Sequence, residues 1–97
     1  MRHFHRTSVG PDAVMQAADA FFARLDLAPV SRAARAVELR GPLGQLRLSV
    51  RMEGGHYTFV EVHTDQIGES RLDKNVKRFF VELHRQVDAR HASRAHY

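Results

Sequence analysis

The chain has 97 residues, of which 43% are hydrophobic, and this length and composition predict one small folded domain. It contains no cysteine, which excludes disulfide bonds and thiolate metal sites, and no run of about 18 apolar residues that would span a membrane. The net charge of +4 arises entirely after residue 70, because residues 1–70 carry eight basic and eight acidic side chains.

A strand at residues 2–9 and an amphipathic helix are the first predicted elements. Pro11 suits the first turn of a helix, and Asp12 lies where the positive end of the helix dipole favours an acid. Ala28 and Pro29 end the predicted helix. Between these signals, apolar residues recur at helical spacing over about four turns: Val14, Ala18, Phe21 and Leu25.

Three strands then form a predicted meander. They cover residues 35–40, 45–53 and 57–64, and the sequences GPLG at 41–44 and GG at 54–55 predict the tight turns between them. Apolar and polar side chains alternate along each strand, which gives every strand one apolar face. The apolar rows consist of Val37, Leu39, Leu46, Leu48, Val50, Met52, Val60 and Val62, with Thr58 on the same face.

A second helix is predicted from about residue 71 to about residue 90, with residues 92–97 as a frayed tail. Ser70 and Asp73 have the spacing of a capping box at its start. An apolar stripe with helical spacing follows, formed by Leu72, Val76, Phe79, Phe80, Leu83 and Val87.

Together these elements predict a single α+β domain over residues 1–97. Its antiparallel sheet has about four strands in the order β-α-β-β-β-α, and both helices cover one face. We expect the aliphatic rows to face the helices, because the opposite orientation of the last strand would bury Glu61 and His63. The other sheet face, called the outer sheet face below, is then predicted to carry Arg40, Arg47, Arg51, Tyr57, Phe59, Glu61 and His63.

The outer sheet face has three interpretations. Arginine beside aromatic rings is ordinary on a solvated sheet, exposed aromatics mark a contact with a protein partner or a second copy, and the same groups bind single-stranded nucleic acid. We expect a non-catalytic binding or accessory module, with a protein partner or homo-oligomer first and nucleic acid as the alternative. A third hypothesis places a small apolar ligand between sheet and helices, where Phe21, Phe22, Phe79 and Phe80 would compete for the space.

A basic ridge on the second helix is a secondary candidate surface. Its members lie away from the apolar stripe and would attract polyanions, although acidic residues interrupt it and a mixed solvated surface is the simpler explanation. The ridge comprises Lys74, Lys77, Arg78 and Arg85.

Two groups of histidines raise the question of a metal site. One hypothesis brings His3 and His5 of the first strand close to His63, and a second uses the helical spacing of His84, Asp88 and His91. Neither group has a recognised ligand motif, so we expect solvated polar residues and no bound metal.

Catalytic signatures are not evident in the sequence. It has no glycine-rich phosphate loop and no serine in a nucleophile context, and the neighbours Glu61 and His63 are typical of a surface ion pair. We therefore expect no enzyme activity and no cofactor. Because no apolar signal segment follows Met1, we also expect a cytoplasmic location.

The order of elements, with a long C-terminal helix on an antiparallel sheet, resembles a shortened helix-grip domain of the START or polyketide-cyclase-like type. It is also similar to the TATA-box-binding-protein-like topology. The sequence GPLGQLRLSV at 41–50, followed by a hairpin, is similar to small proteins associated with polyhydroxyalkanoate granules. START-like domains are longer and enclose an apolar cavity, so the resemblance implies a fold, and no functional residue is carried over from it.

Overall fold

The computed structural model describes residues 1–95 and, within them, the side chains of residues 1–87. One antiparallel sheet has the strand order β1-β5-β4-β3-β2, and two helices share a core with it. The predicted α+β class is confirmed, with five strands in place of about four. In chain order the elements are β1 (Arg2–Thr7), α1 (Pro11–Ala23), β2 (Ala28–Ala33), β3 (Ala36–Gly41), β4 (Gly44–Glu53), β5 (Tyr57–Thr64) and α2 (Arg71–Ala95).

The strand that sequence patterning missed is β2. All six of its residues are exposed, so it has no apolar row that could reveal it. It lies at the edge of the sheet and pairs only with β3, with a shift of register between Pro29 and Ser31. Proline is tolerated on such an edge, because no neighbouring strand needs its missing N–H.

Helix α1 ends at Ala23, earlier than predicted, because the chain closes it with a Schellman motif. The N–H of Leu27 donates to the carbonyl of Phe22 (3.1 Å) and that of Asp26 to Ala23 (3.1 Å). Asp26 has φ of 61°, the left-handed conformation that this motif requires. Leu27 is thereby turned back into the core, where it is buried.

The aliphatic rows of β3, β4 and β5 face the helices, as predicted. Val60 and Val62 are fully buried, and Phe22 of α1 and Phe79 of α2 fill the layer above the sheet with ring centroids 5.4 Å apart. Met52 is the exception, because its side chain is 51% exposed near the end of β4. Within residues 1–95, no helix combines the length and apolar character that a membrane span needs.

Asp73, the third residue of α2, is fully buried and joins the start of the helix to two strands. Its Oδ1 lies 2.7 Å from Nε2 of His3 in β1 and accepts a hydrogen bond from Oγ1 of Thr64 in β5 (2.8 Å). Ser70 Oγ donates to Oδ2 (2.7 Å) and accepts from the N–H of Asp73 (3.0 Å), which confirms the predicted cap.

These contacts keep Asp73 ionised. Burial raises the pKa of Asp73, but hydrogen bonds from His3, Ser70 and Thr64 outweigh it, and the pKa lies below its ordinary value. Because a carboxylate only accepts hydrogen bonds, Nε2 of His3 carries the hydrogen in this contact.

Helix α2 continues to Ala95, beyond the predicted end near residue 90. The apolar stripe lies on its buried face, with Leu72, Val76, Phe79 and Leu83 in the core and Phe80 and Val87 packed beside them. The frayed tail predicted at residues 92–97 stays a prediction. Residues 96–97, and the side chains of the whole segment, lie outside the part of the chain that the structure describes.

Replacing Asp73 by Asn should lower the free energy of unfolding by about 3 kcal/mol at neutral pH, because it breaks a buried hydrogen-bonded charge network. The lowered pKa means that the carboxylate stabilises the fold fully above its unfolded pKa near 3.8, and that this contribution is lost as pH falls through the native pKa. Urea unfolding at decreasing pH should therefore show a constant difference between the two proteins down to about pH 4 and a shrinking difference below it. Asp19→Asn, at an exposed ion pair, is the control and should change little.

Gly41→Ala should destabilise the fold by about 2 kcal/mol or more, because its Cβ would lie 2.3 Å from the carbonyl oxygen of Asp26. Gly10→Ala is the matched control, since no atom lies within 4 Å of the added Cβ. Equal midpoints for both variants in chemical denaturation would contradict the close packing of β3 against the turn after α1.

Candidate functional site

The seven residues predicted for the outer sheet face all lie on the side of the sheet away from the helices. The register of β4 and β5 places Arg47 opposite His63 and Arg51 opposite Phe59. Strand β1 adds three outward residues that sequence reasoning did not assign to this face: Arg2, Phe4 and Arg6. The face therefore carries five arginines against three glutamates.

An aromatic–arginine cluster lies at the centre of β1 and β5. We define it as Phe4, Phe59, Arg6 and Arg51. The rings of Phe4 and Phe59 stack with centroids 5.9 Å apart, and the guanidinium carbons of Arg6 and Arg51 lie 5.1 and 4.7 Å from the centroid of Phe59. Phe59 is only 7% exposed, whereas Phe4 is 57% and Tyr57 53% exposed.

The expectation that Phe59 lies open on this surface is therefore wrong. Its ring is covered by side chains of β1 and β4, which lie on either side of β5 in the sheet. The exposed aromatics are Tyr57, which was predicted, and Phe4, which was not. The missed signal was the alternation of Arg2, Phe4 and Arg6 along the first strand, on the face opposite to its histidines.

Glutamates pair with the two arginines of this cluster and with Arg2 beside it. Glu53 accepts a hydrogen bond from Nε of Arg6 (2.9 Å), and its other oxygen lies 3.8 Å from Nη2 of Arg51. Glu61 lies 2.6 Å from Nη2 of Arg2. The pKa of Glu61 is lowered, first by its hydrogen bond from Arg2 and also by His63 at 3.4 Å.

Arg47 lines a shallow depression of the outer sheet face. This depression has a volume of about 390 Å³ and is also lined by Ser49, Glu61 and His63. Among the side chains of residues 1–87, no carboxylate lies within ion-pair distance of its guanidinium. Arg40, the remaining predicted arginine, donates to Oε1 of Gln45 (3.0 Å). Arg2 and Arg6 of β1 are thus paired with glutamates, whereas Arg47 at the centre of the face is exposed and has no such pair among the side chains described.

The hypothesis that His3, His5 and His63 converge is wrong, because alternation along the strands separates them. In the register, His63 lies opposite Arg2 on the outer face, whereas His3 points to Asp73. The ring of His5 stacks on Phe80 at 5.0 Å between centroids, and burial, with a smaller effect of His84, lowers the pKa of His5.

Metal-ligating side chains do not gather elsewhere in the part of the chain described: no group of three or more His, Asp or Glu side chains could hold an ion there. The spacing of His84, Asp88 and His91 cannot be followed in space, because Asp88 and His91 lie outside the described side chains.

The predicted basic ridge of α2 divides into two parts. Lys77 binds Glu69 at 2.7 Å between Nζ and Oε1, while Lys74 is exposed near the start of the helix. Arg78 and Arg85 face the groove between α2 and α1. A polyanion-binding role for this ridge stays a prediction.

Two alanine variants test the unequal exposure of Phe59 and Tyr57. Phe59→Ala should lower the free energy of unfolding by about 2 kcal/mol or more, because it removes a covered ring and its arginine contacts. Tyr57→Ala, two residues away and half exposed, should cost much less. Chemical denaturation of both variants measures the difference, and a reversed order would contradict the cluster.

Comparison with known proteins adds no assignment to this geometry. A scan against protein-family models and a search of curated proteins found no match to the chain. The resemblance to START-like domains therefore stays a prediction, and the function has to be inferred from the surface itself.

Proposed function

We propose that this protein is a non-catalytic binding module whose outer sheet face contacts another protein, in the first instance a second copy of the chain. The observation that carries the proposal is the aromatic–arginine cluster, which exposes Phe4 over the covered ring of Phe59. Aromatic residues and arginine are the side chains most enriched at the energetic centres of protein interfaces.

The cluster is organised before any partner binds. Arg6 and Arg51 are oriented both by the ring of Phe59 and by the carboxylate of Glu53. Ordering a long side chain on binding costs roughly 0.5–1.5 kcal/mol. Because both guanidinium groups already lie against the ring and the carboxylate, a complex at this face loses less side-chain freedom on binding.

Charge and area favour a second copy as the partner. The face carries both arginines and glutamates, so two copies related by a twofold axis can place opposite charges together. Five strands with about six residues each present roughly 24 by 20 Å, or about 500 Å² per copy. Burying about 1,000 Å² in total is close to the lower limit for a specific interface, which corresponds to a weak, reversible dimer.

Nucleic-acid binding receives less support from the same contacts. Phe59 offers little free ring surface for base stacking, and Glu53 and Glu61 already occupy Arg2, Arg6 and Arg51. Stacking on a base would be limited to Phe4 and Tyr57.

Sedimentation velocity over a concentration series, from about 5 to about 500 µM, tests the proposal. The wild-type sedimentation coefficient should rise with concentration. The double variant F4S/Y57S should remain monomeric over the same range, because it removes the two exposed aromatics and leaves Phe59 in place.

Ile67→Ser provides the matched control, since Ile67 is 98% exposed in the loop between β5 and α2 and belongs to no strand of the sheet. It should associate as the wild type does. A wild-type protein that stays monomeric at the highest concentration, or a control variant that loses association as well, would contradict the proposed contact.

A further inference from the structure

A second concave surface lies on the other side of the molecule, between the end of α1 and the middle of α2. It is a groove of about 520 Å³, within the size range of small-molecule sites. Its lining combines apolar and charged side chains: Phe21, Arg24, Leu25, Arg78, Val81, Glu82 and Arg85. We call it the helix groove.

The α2 side of the helix groove follows from helical spacing. Arg78, Val81, Glu82 and Arg85 are separated by three, four and seven residues and therefore share one face of the helix. Val81 is half exposed between the two arginines. On α2, the apolar side chain of Val81 is thus flanked by the guanidinium groups of Arg78 and Arg85.

The α1 side adds a third arginine and the apolar floor. Arg24 lies with its guanidinium carbon 5.2 Å from the ring centroid of Phe21, and its Nη2 is 3.3 Å from Oε2 of Glu82. Glu82 is the single acid of the lining, so three positive charges face one negative charge across the groove. Arg78 and Arg85 have no ion-pair partner among the side chains of residues 1–87.

We propose that the helix groove binds an amphiphilic anion, that is, a carboxylate or a phosphate ester attached to a short apolar body. The planar guanidinium fork matches both head groups, and it binds either of them with two parallel hydrogen bonds. The apolar body covers Phe21, Leu25 and Val81, which removes their exposed surface from water. This site is separate from the outer sheet face and does not depend on the proposed dimer.

The probe for the experiment is anilinonaphthalene sulfonate, an aryl anion whose fluorescence rises in apolar surroundings. Titration into the wild-type protein should give one saturable site whose affinity falls as salt increases. The variant R78Q/R85Q should lose about tenfold or more in affinity, because two charge-assisted contacts are removed. The control R32Q/R35Q makes the same chemical change at two exposed arginines of the edge strand and its turn, outside both the helix groove and the outer sheet face, and should bind as the wild type does.

Competition identifies the head group. Decanoate, decyl phosphate or both should displace the probe, whereas neutral 1-decanol, which has the same apolar chain, should not. Backbone amide shifts on adding decanoate or decyl phosphate should concentrate at the end of α1 and the middle of α2 in spectra that show every variant folded. Absence of saturable binding, equal affinity in R78Q/R85Q and R32Q/R35Q, or equal displacement by the neutral compound would each overturn the proposal.

Discussion

The buried carboxylate of Asp73 fixes how the two ends of the fold meet. It is hydrogen-bonded to His3 in β1, to Thr64 at the end of β5 and to Ser70 at the start of α2. His3 and Asp73 are 70 residues apart in sequence, so this contact ties the edge strand to the last helix. An ionised group in this position is costly unless every contact is made, and for that reason it specifies one arrangement of the three elements.

The contact between His3 and Asp73 determines which side chains of β1 lie on the outer sheet face. Because side chains alternate along β1, a histidine directed at Asp73 requires its neighbour Phe4 to point away from the helices. Phe4 then stacks on Phe59, and Arg6 lies over the same ring. A shift of β1 by one residue would bury Phe4 and expose His3. The polar network beneath the sheet and the aromatic–arginine cluster above it are therefore two consequences of one register.

The outer sheet face and the helix groove differ in how their arginines are paired. On the outer sheet face, glutamates pair with Arg2, Arg6 and Arg51, so much of the positive charge is already balanced and the surface suits another mixed-charge protein surface. In the helix groove, Arg78 and Arg85 border an open apolar strip, so the surface is suited to a small ligand that supplies its own negative charge. The sheet and its core separate the two, which lets each act without the other.

Local sequence patterns predicted much of this fold, and contacts between distant strands account for what they missed. Alternation, together with the cost of burying Glu61 and His63, placed Val60 and Val62 in the core, and the spacing of Ser70 and Asp73 predicted the helix cap. Strand β2 was missed because an exposed edge strand has no apolar period. The covering of Phe59 depends on β1 lying beside β5, a pairing between the first and last strands that no local pattern encodes.

Amide spectra recorded over a dilution series test the central claim most directly, because they locate contacts residue by residue. If the outer sheet face binds a second copy, concentration-dependent shifts should cluster at Phe4, Arg47 and Tyr57 while the amides of α1 and the middle of α2 stay constant. Spectra that do not change with concentration, or shifts confined to the helices, would contradict the account.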